Sequence, residues 1–131
     1  MKSTFKLALV GFGGIVLGAG GMSALEAATA TPQAYLVANI QEVKDPEAYK
    51  TYQSGVGPTQ APYGGHFLAR GAKPVMLDSS PEPKGAIVII AFPSMKNLRD
   101  WWNSPTYAAI RPIREKNAVS QLYAVEGLSP Q

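Results

Sequence analysis

The residues best suited to chemistry sit in one short stretch, Tyr63-Gly64-Gly65-His66-Phe67-Leu68-Ala69-Arg70-Gly71. His66 is the only histidine in the chain. Its imidazole titrates near neutrality, which suits a general base. The plainer alternative is a polar side chain at a strand start, bonded to a backbone carbonyl. Arg70 offers a planar fork of donors that can clamp a carboxylate or an enolate. Its alternative is a structural ion pair with Glu42, Glu126 or Asp100. With strict alternation, His66, Leu68 and Arg70 share one strand face, and Phe67 and Ala69 the other. Tyr35 and Asn39 are expected to line the space into which Arg70 points.

Other candidates are weaker. Of the neighbours Trp101 and Trp102, only one can face inward. One is core, and the other edges a pocket or lies on the surface. Tyr107 and Arg111 stand one helical turn apart and can meet at a pocket mouth, or cap an adjacent helix. Asp100 is by default an exposed helix charge. One histidine and no cysteine leave no usual zinc set, no disulfide and no thiol nucleophile, so no metal is expected. No acidic calcium loop, no Gly-x-Ser-x-Gly elbow and no phosphate loop occurs, and no cofactor is expected.

The elements that position these residues read as follows. Ala34 to Val43 alternates, with Leu36, Ala38 and Ile40 opposite Tyr35, Val37, Asn39 and Gln41, and predicts a strand. Asp45-Pro46 caps a helix carrying Tyr49, Tyr52 and Val56 as one buried stripe. Gly55, Gly57 and Pro58 predict a break or kink, followed by a short turn through Thr59 to Pro62. His66 to Arg70 is the second strand, extended by Pro74 to Asp78 after a bulge at Gly71. Ser79 to Gly85 is a loop. Gly85 to Phe92 is apolar on both faces and reads as a central strand. Ser94 caps a helix with Met95 and Leu98 inward. Ser104-Pro105 starts another with Tyr107, Ile110 and Ile113, kinked near Pro112. Its last turns hold Arg111, Arg114 and Lys116, where the helix dipole welcomes cations. Val119 to Glu126 is the last strand, with Leu122, Ala124 and Glu126 opposite Gln121, Tyr123 and Val125.

The order β-α-β-β-α-β predicts an α+β, ferredoxin-like antiparallel sheet with two helical segments on one face. The other face would leave Val37, Leu68 and residues of the third strand wet. That predicts a homodimer packed sheet to sheet, with a ligand in its interior.

The N-terminus reads as an export signal. Lys2 and Lys6 precede Leu7 to Leu25, 19 residues without a charge, and Ala28-Thr29-Ala30 offers a cleavage site after Ala30. This predicts a periplasmic or secreted protein. A retained membrane anchor is the competing reading, because the run approaches the length of a bilayer span. The expected organisation is a signal over 1–30, a linker over 31–33, one domain over 34–128 and a tail over 129–131. Formal net charge is +3; without Lys2, Lys6 and Glu26 it is 10 basic against 8 acidic, scattered, which does not point to nucleic acid. Hydrophobic residues at 46% and charged residues at 16% fit a packed domain.

Several motifs occur together in order: Asp45-Pro46-x-x-Tyr49, Tyr63-Gly64-Gly65-x-Phe67-Leu68-x-Arg70-Gly71, Ile89 to Met95, Ser104-Pro105-x-Tyr107 and Val125-Glu126-Gly127. Over Ala34 to Leu128 the chain resembles the domain-of-unknown-function 1330 family of the dimeric α+β barrel superfamily. The resemblance implies the ferredoxin-like fold and a barrel-forming dimer, and no established activity. Family members often carry arginine or lysine at the position of His66, which argues against a family-wide histidine mechanism. Three functions follow as expectations: an exported dimeric barrel binding a small anionic or aromatic molecule, with Arg70 and His66 facing the cavity; a cofactor-independent oxygenase or isomerase, with His66 as base and Arg70 holding the oxyanion; or a structural protein whose barrel is filled by its own side chains.

Overall fold

A computed structural model describes residues 30–130. Apart from Ala30, the expected export segment lies outside the described residues. Among the described residues no helix is long and apolar enough to cross a membrane.

The chain from Pro32 to Leu128 forms β1 (Ala34–Val43), α1 (Pro46–Gln60), a 3₁₀ turn (Ala61–Tyr63), β2 (His66–Ala72), β3 (Ala86–Phe92), α2 (Met95–Trp102), α3 (Pro105–Asn117) and β4 (Ala118–Glu126). The strands make one antiparallel sheet in the order β2-β3-β1-β4. This is the α+β ferredoxin-like fold, and β3 is central as its double-sided apolarity requires.

Alternation sets the register. Leu36, Ala38 and Ile40 of β1 stand beside Ile90, Val88 and Ala86 of β3 on the helix-covered face. Tyr35, Val37 and Asn39 stand beside Ala91, Ile89 and Ile87 on the outer face. The Asp45 side chain accepts from the Ala48 N–H at 3.2 Å and starts α1. Ser94 and Ser104 cap α2 and α3 in the same way, accepting from Asn97 and Tyr107. The core is aromatic. Trp101 and Tyr107 have no exposed surface, and their ring centroids are 4.1 Å apart. Phe92 packs 5.3 Å from Trp101, whose indole N–H donates to Thr59 Oγ1 at 3.1 Å. Each such buried ring contributes about 2–3 kcal/mol by leaving water.

α1 does not break at Gly55, Gly57 and Pro58 but runs through Pro58 to Gln60, and the expected short turn follows it as the 3₁₀ turn Ala61–Tyr63. Gly55 serves packing, since a Cβ there would stand 3.2 Å from Ile110 Cδ1 of α3. Val56 and Gln60, both buried, hold the last turns against the sheet despite the missing Pro58 N–H. α3 likewise runs as one helix through Pro112. The expected extension of β2 over Pro74 to Asp78 is also absent. Pairing with β3 ends at Ala72 opposite Ile87, close to the start of β3, so those residues have no strand to bond.

β2 departs most from expectation. A bulge at Gly71, where φ is +70°, was foreseen. A second lies at Leu68: Phe67 pairs with Ile90, but Ala69, not Leu68, pairs with Ile89. The extra residue inverts the alternation. Phe67 and Arg70 therefore share the helix-covered face, and His66 faces outward beside Ala91.

Candidate functional site

The residues on the helix-covered face do not fill the space beneath α1. Ala38, Val88 and Leu122 line it from the sheet, and the α1 stripe of Tyr49, Tyr52 and Val56 from the helix. A cavity of about 1030 Å³ remains between that helix and the sheet. Phe67 and Ile90 complete an apolar lining. The mouth is charged: Arg70, Lys73 and Lys84 stand there against Glu42 and Glu82.

Arg70 belongs to this cavity, brought there by the Leu68 bulge. Its guanidinium lies 4.5 Å over the Phe67 ring and donates to the Gln53 backbone carbonyl at 2.6 Å. The side chain thus bridges the β2 edge to α1. Its expected ion pairs with Glu42, Glu126 or Asp100 do not form; Asp100 binds Lys96 at 2.6 Å instead.

The remaining candidates lie elsewhere. Tyr35 and Asn39 are on the outer face, so they do not surround Arg70. The Tyr35 hydroxyl donates to Gln33 Oε1 at 3.1 Å, and Asn39 Oδ1 is buried without a partner. His66 is exposed on that same outer face, across the sheet from Arg70, so the two cannot act on one bound atom within a subunit. Trp101 is core and Trp102 half-buried. Arg111 stacks 4.9 Å over the Trp102 ring and 5.8 Å from that of Tyr107, forming a cap rather than a cavity wall. Among the described residues no three histidine, aspartate or glutamate side chains gather as metal ligands.

A polar cluster that the sequence reading assigned to other roles stands behind the α1 wall. The Tyr52 and Tyr107 hydroxyls are 2.9 Å apart and hydrogen-bonded. Arg114, only 7% exposed, lies beside them, with its guanidinium 5.9 Å from the Tyr52 ring centroid. It donates to Ser120 Oγ at 2.9 Å, while its Nε has no partner. Its nearest carboxylate, on Glu115, is 4.0 Å away and more than half exposed. Burial, then the neighbouring Tyr107, push the Tyr52 phenol well above its ordinary range. Burial also raises Tyr49, against a smaller lowering by the Arg114 charge. The signal for Arg114 was present in the spacing: Tyr107, Ile110 and Arg114 stand at i, i+3 and i+7, one helix stripe.

Comparison with known proteins adds fold and family. A protein of unknown function from Rhodopseudomonas palustris superposes with a TM-score of 0.59 at 22% identity, covering 84% of this chain and 94% of that one. SnoaB, a cofactor-independent oxygenase from Streptomyces nogalater, superposes with a TM-score of 0.53 at 12% identity, covering 72% and 92%. An ethyl tert-butyl ether d (EthD) family protein from Bacillus halodurans gives 0.51 at 11% identity, covering 73% and 99%. At these identities the likeness is one of fold. No curated protein matches the chain. The model of the domain of unknown function DUF1330 matches residues 33–128, nearly all of the folded part, and the chain belongs to that family.

Proposed function

We propose that this protein binds a small amphipathic organic anion in the cavity under α1, as an exported homodimer. The observation that carries the reading is the cavity itself. It is apolar and partly aromatic inside, through Tyr49, Tyr52 and Phe67, with three cationic side chains against two carboxylates at the mouth. An aromatic body would leave water against the rings while its acidic group meets Arg70. Turnover with His66 as base is disfavoured by its place across the sheet.

The test is calorimetric titration with 2-naphthoate. Saturable binding is expected, weakened in Val88→Trp, which sets an indole into the cavity floor, and weakened about tenfold in Arg70→Ala, or about 1.4 kcal/mol. Binding retained in full by Val88→Trp would place the site elsewhere.

The dimer rests on the outer face, where Tyr123 is 51% and Val125 46% exposed beside half-buried Val37, Ile87 and Ile89. Covering it with a second copy would remove a contiguous apolar patch from water. Light scattering is expected to read a dimer, and Ile89→Glu to read a monomer. A wild-type monomer would refute this part. Export is supported by the sequence of residues 1–30. Intact mass of the exported chain is expected to begin at Thr31.

A further inference from the structure

The cavity is polar on two sides. Arg70 comes from β2, one edge of the sheet. Tyr49 and Tyr52 come from α1, backed by Arg114 and its partner Ser120 on β4, the other edge. Those edges lie three strand spacings of about 4.8 Å apart, roughly 14 Å, and the Arg70 guanidinium reaches inward from its edge to the Gln53 carbonyl, one turn of α1 beyond Tyr49.

The second side carries more donors than acceptors, because each hydroxyl both donates and accepts while the guanidinium only donates. Tyr49 is 5% exposed and lines the cavity, and its hydroxyl bonds to no described residue. Of the Tyr52 and Tyr107 hydroxyls, one donates to the other, so the pair's second proton is left without an acceptor among the described bonds. Arg114 brings further N–H groups and a positive charge, but no acceptor, and its Nε is itself unpaired. A wall with a surplus of donors, facing the cavity, favours an incoming oxygen lone pair, more so if that oxygen carries negative charge.

We propose that the cavity ligand is bipolar. It would carry an acidic group at Arg70 and, at the far end of an apolar body, a carbonyl or oxyanion oxygen that accepts from the Tyr49 hydroxyl in the positive field of Arg114. This rests on the cavity reading above and specifies its ligand class. Tyr49 is a binding and specificity-determining residue in this scheme; Arg114 acts through the field at that position.

The probes are 6-acetyl-2-naphthoate and 6-ethyl-2-naphthoate. They share the acid and the ring body and differ in one acceptor oxygen. The wild type is expected to bind the acetyl compound about tenfold more tightly. Tyr49→Phe is expected to erase that preference while leaving the affinity for the ethyl compound unchanged. Equal affinities in the wild type would overturn the bipolar assignment and leave the cavity reading intact. A preference surviving in Tyr49→Phe would overturn the role of Tyr49. Failure of the wild type to bind either compound would overturn both readings. The Tyr49 hydroxyl bonds to no described residue, so thermal melting of Tyr49→Phe should match the wild type and keep the comparison sound.

Discussion

Arg114→Met is expected to make the protein more stable and a poorer binder of anions. The wild-type guanidinium is buried beside the Tyr52 and Tyr107 hydroxyls, donates to Ser120, and has an unpaired Nε and no carboxylate closer than 4.0 Å. Removing it loses one charge-assisted hydrogen bond, about 1.5–3 kcal/mol, and a distant cation–π contact of about 0.5 kcal/mol. It relieves the desolvation of an ion, several kcal/mol, and one unsatisfied donor, about 1–3 kcal/mol. Methionine keeps the unbranched stem, so no large void opens. Apolar replacement of poorly paired buried ions stabilises by about 1–4 kcal/mol, and a gain of about 1–2 kcal/mol is expected here. Urea unfolding followed by Trp101 and Trp102 fluorescence reads it as a higher midpoint with unchanged slope. Tm should rise by about 4–8 °C per kcal/mol. On the same variant, affinity for 6-acetyl-2-naphthoate should fall. Destabilisation by more than about 1 kcal/mol would mean that the guanidinium is fully satisfied in the folded protein. The case for a charge held against its stability cost would then collapse.

Alkaline pH provides a second test. The folded pKa of Tyr52 is raised, chiefly by burial, above the ordinary value of 10.0 that the unfolded chain keeps. Its contribution is therefore complete below pH 10 and is lost as pH climbs from there toward the folded value. Wild-type stability should fall by about 1.4 kcal/mol per pH unit for this tyrosine in that window, and Tyr52→Phe should flatten the slope; an identical slope in the variant would count against the burial account. Glycines at the two cavity-lining turns should differ. At Gly85, φ is +74° and a Cβ would lie 2.8 Å from Gln41 Cα, so Gly85→Ala should cost more than about 2 kcal/mol in urea unfolding. At Gly71, φ is +70° but no atom lies within 4 Å, so Gly71→Ala should cost only the left-handed penalty, about 1–2 kcal/mol. Equal losses would show that crowding is not what distinguishes them.

Most of the fold was legible because its signals are local. The period-two patterns of β1 and β4 and the Asp45, Ser94 and Ser104 caps act over a few residues, and each appears where expected. The site was less legible because one residue displaced it. Nothing in His66-Phe67-Leu68-Ala69-Arg70 marks Leu68 as extra, since Leu is an ordinary strand residue. The bulge is a property of pairing with β3. One unpaired residue moved Arg70 to the opposite face from His66, Tyr35 and Asn39, and so dissolved the group assembled from alternation alone. Arg114 was misread for a different reason. A cation in a last helical turn satisfies the dipole rule wherever it points, and that rule hid the stripe placing it inside.

The bulge also divides the sheet's two faces between two tasks. The helix-covered face holds the cavity, Arg70 and the tyrosines; the outer face holds His66, Asn39 and the apolar patch that a second copy would cover. A dimer formed through the outer face would leave the cavity beneath α1, walled by one chain's own helix and strands. Assembly and binding would then meet through the strands of the sheet, whose successive residues face alternate sides. Asn39, whose buried Oδ1 lacks a partner, stands between cavity-lining Ala38 and Ile40. A donor from a second copy reaching that oxygen would fix β1, which carries residues on both faces. Dimerisation would then stiffen the cavity floor without adding a residue to it.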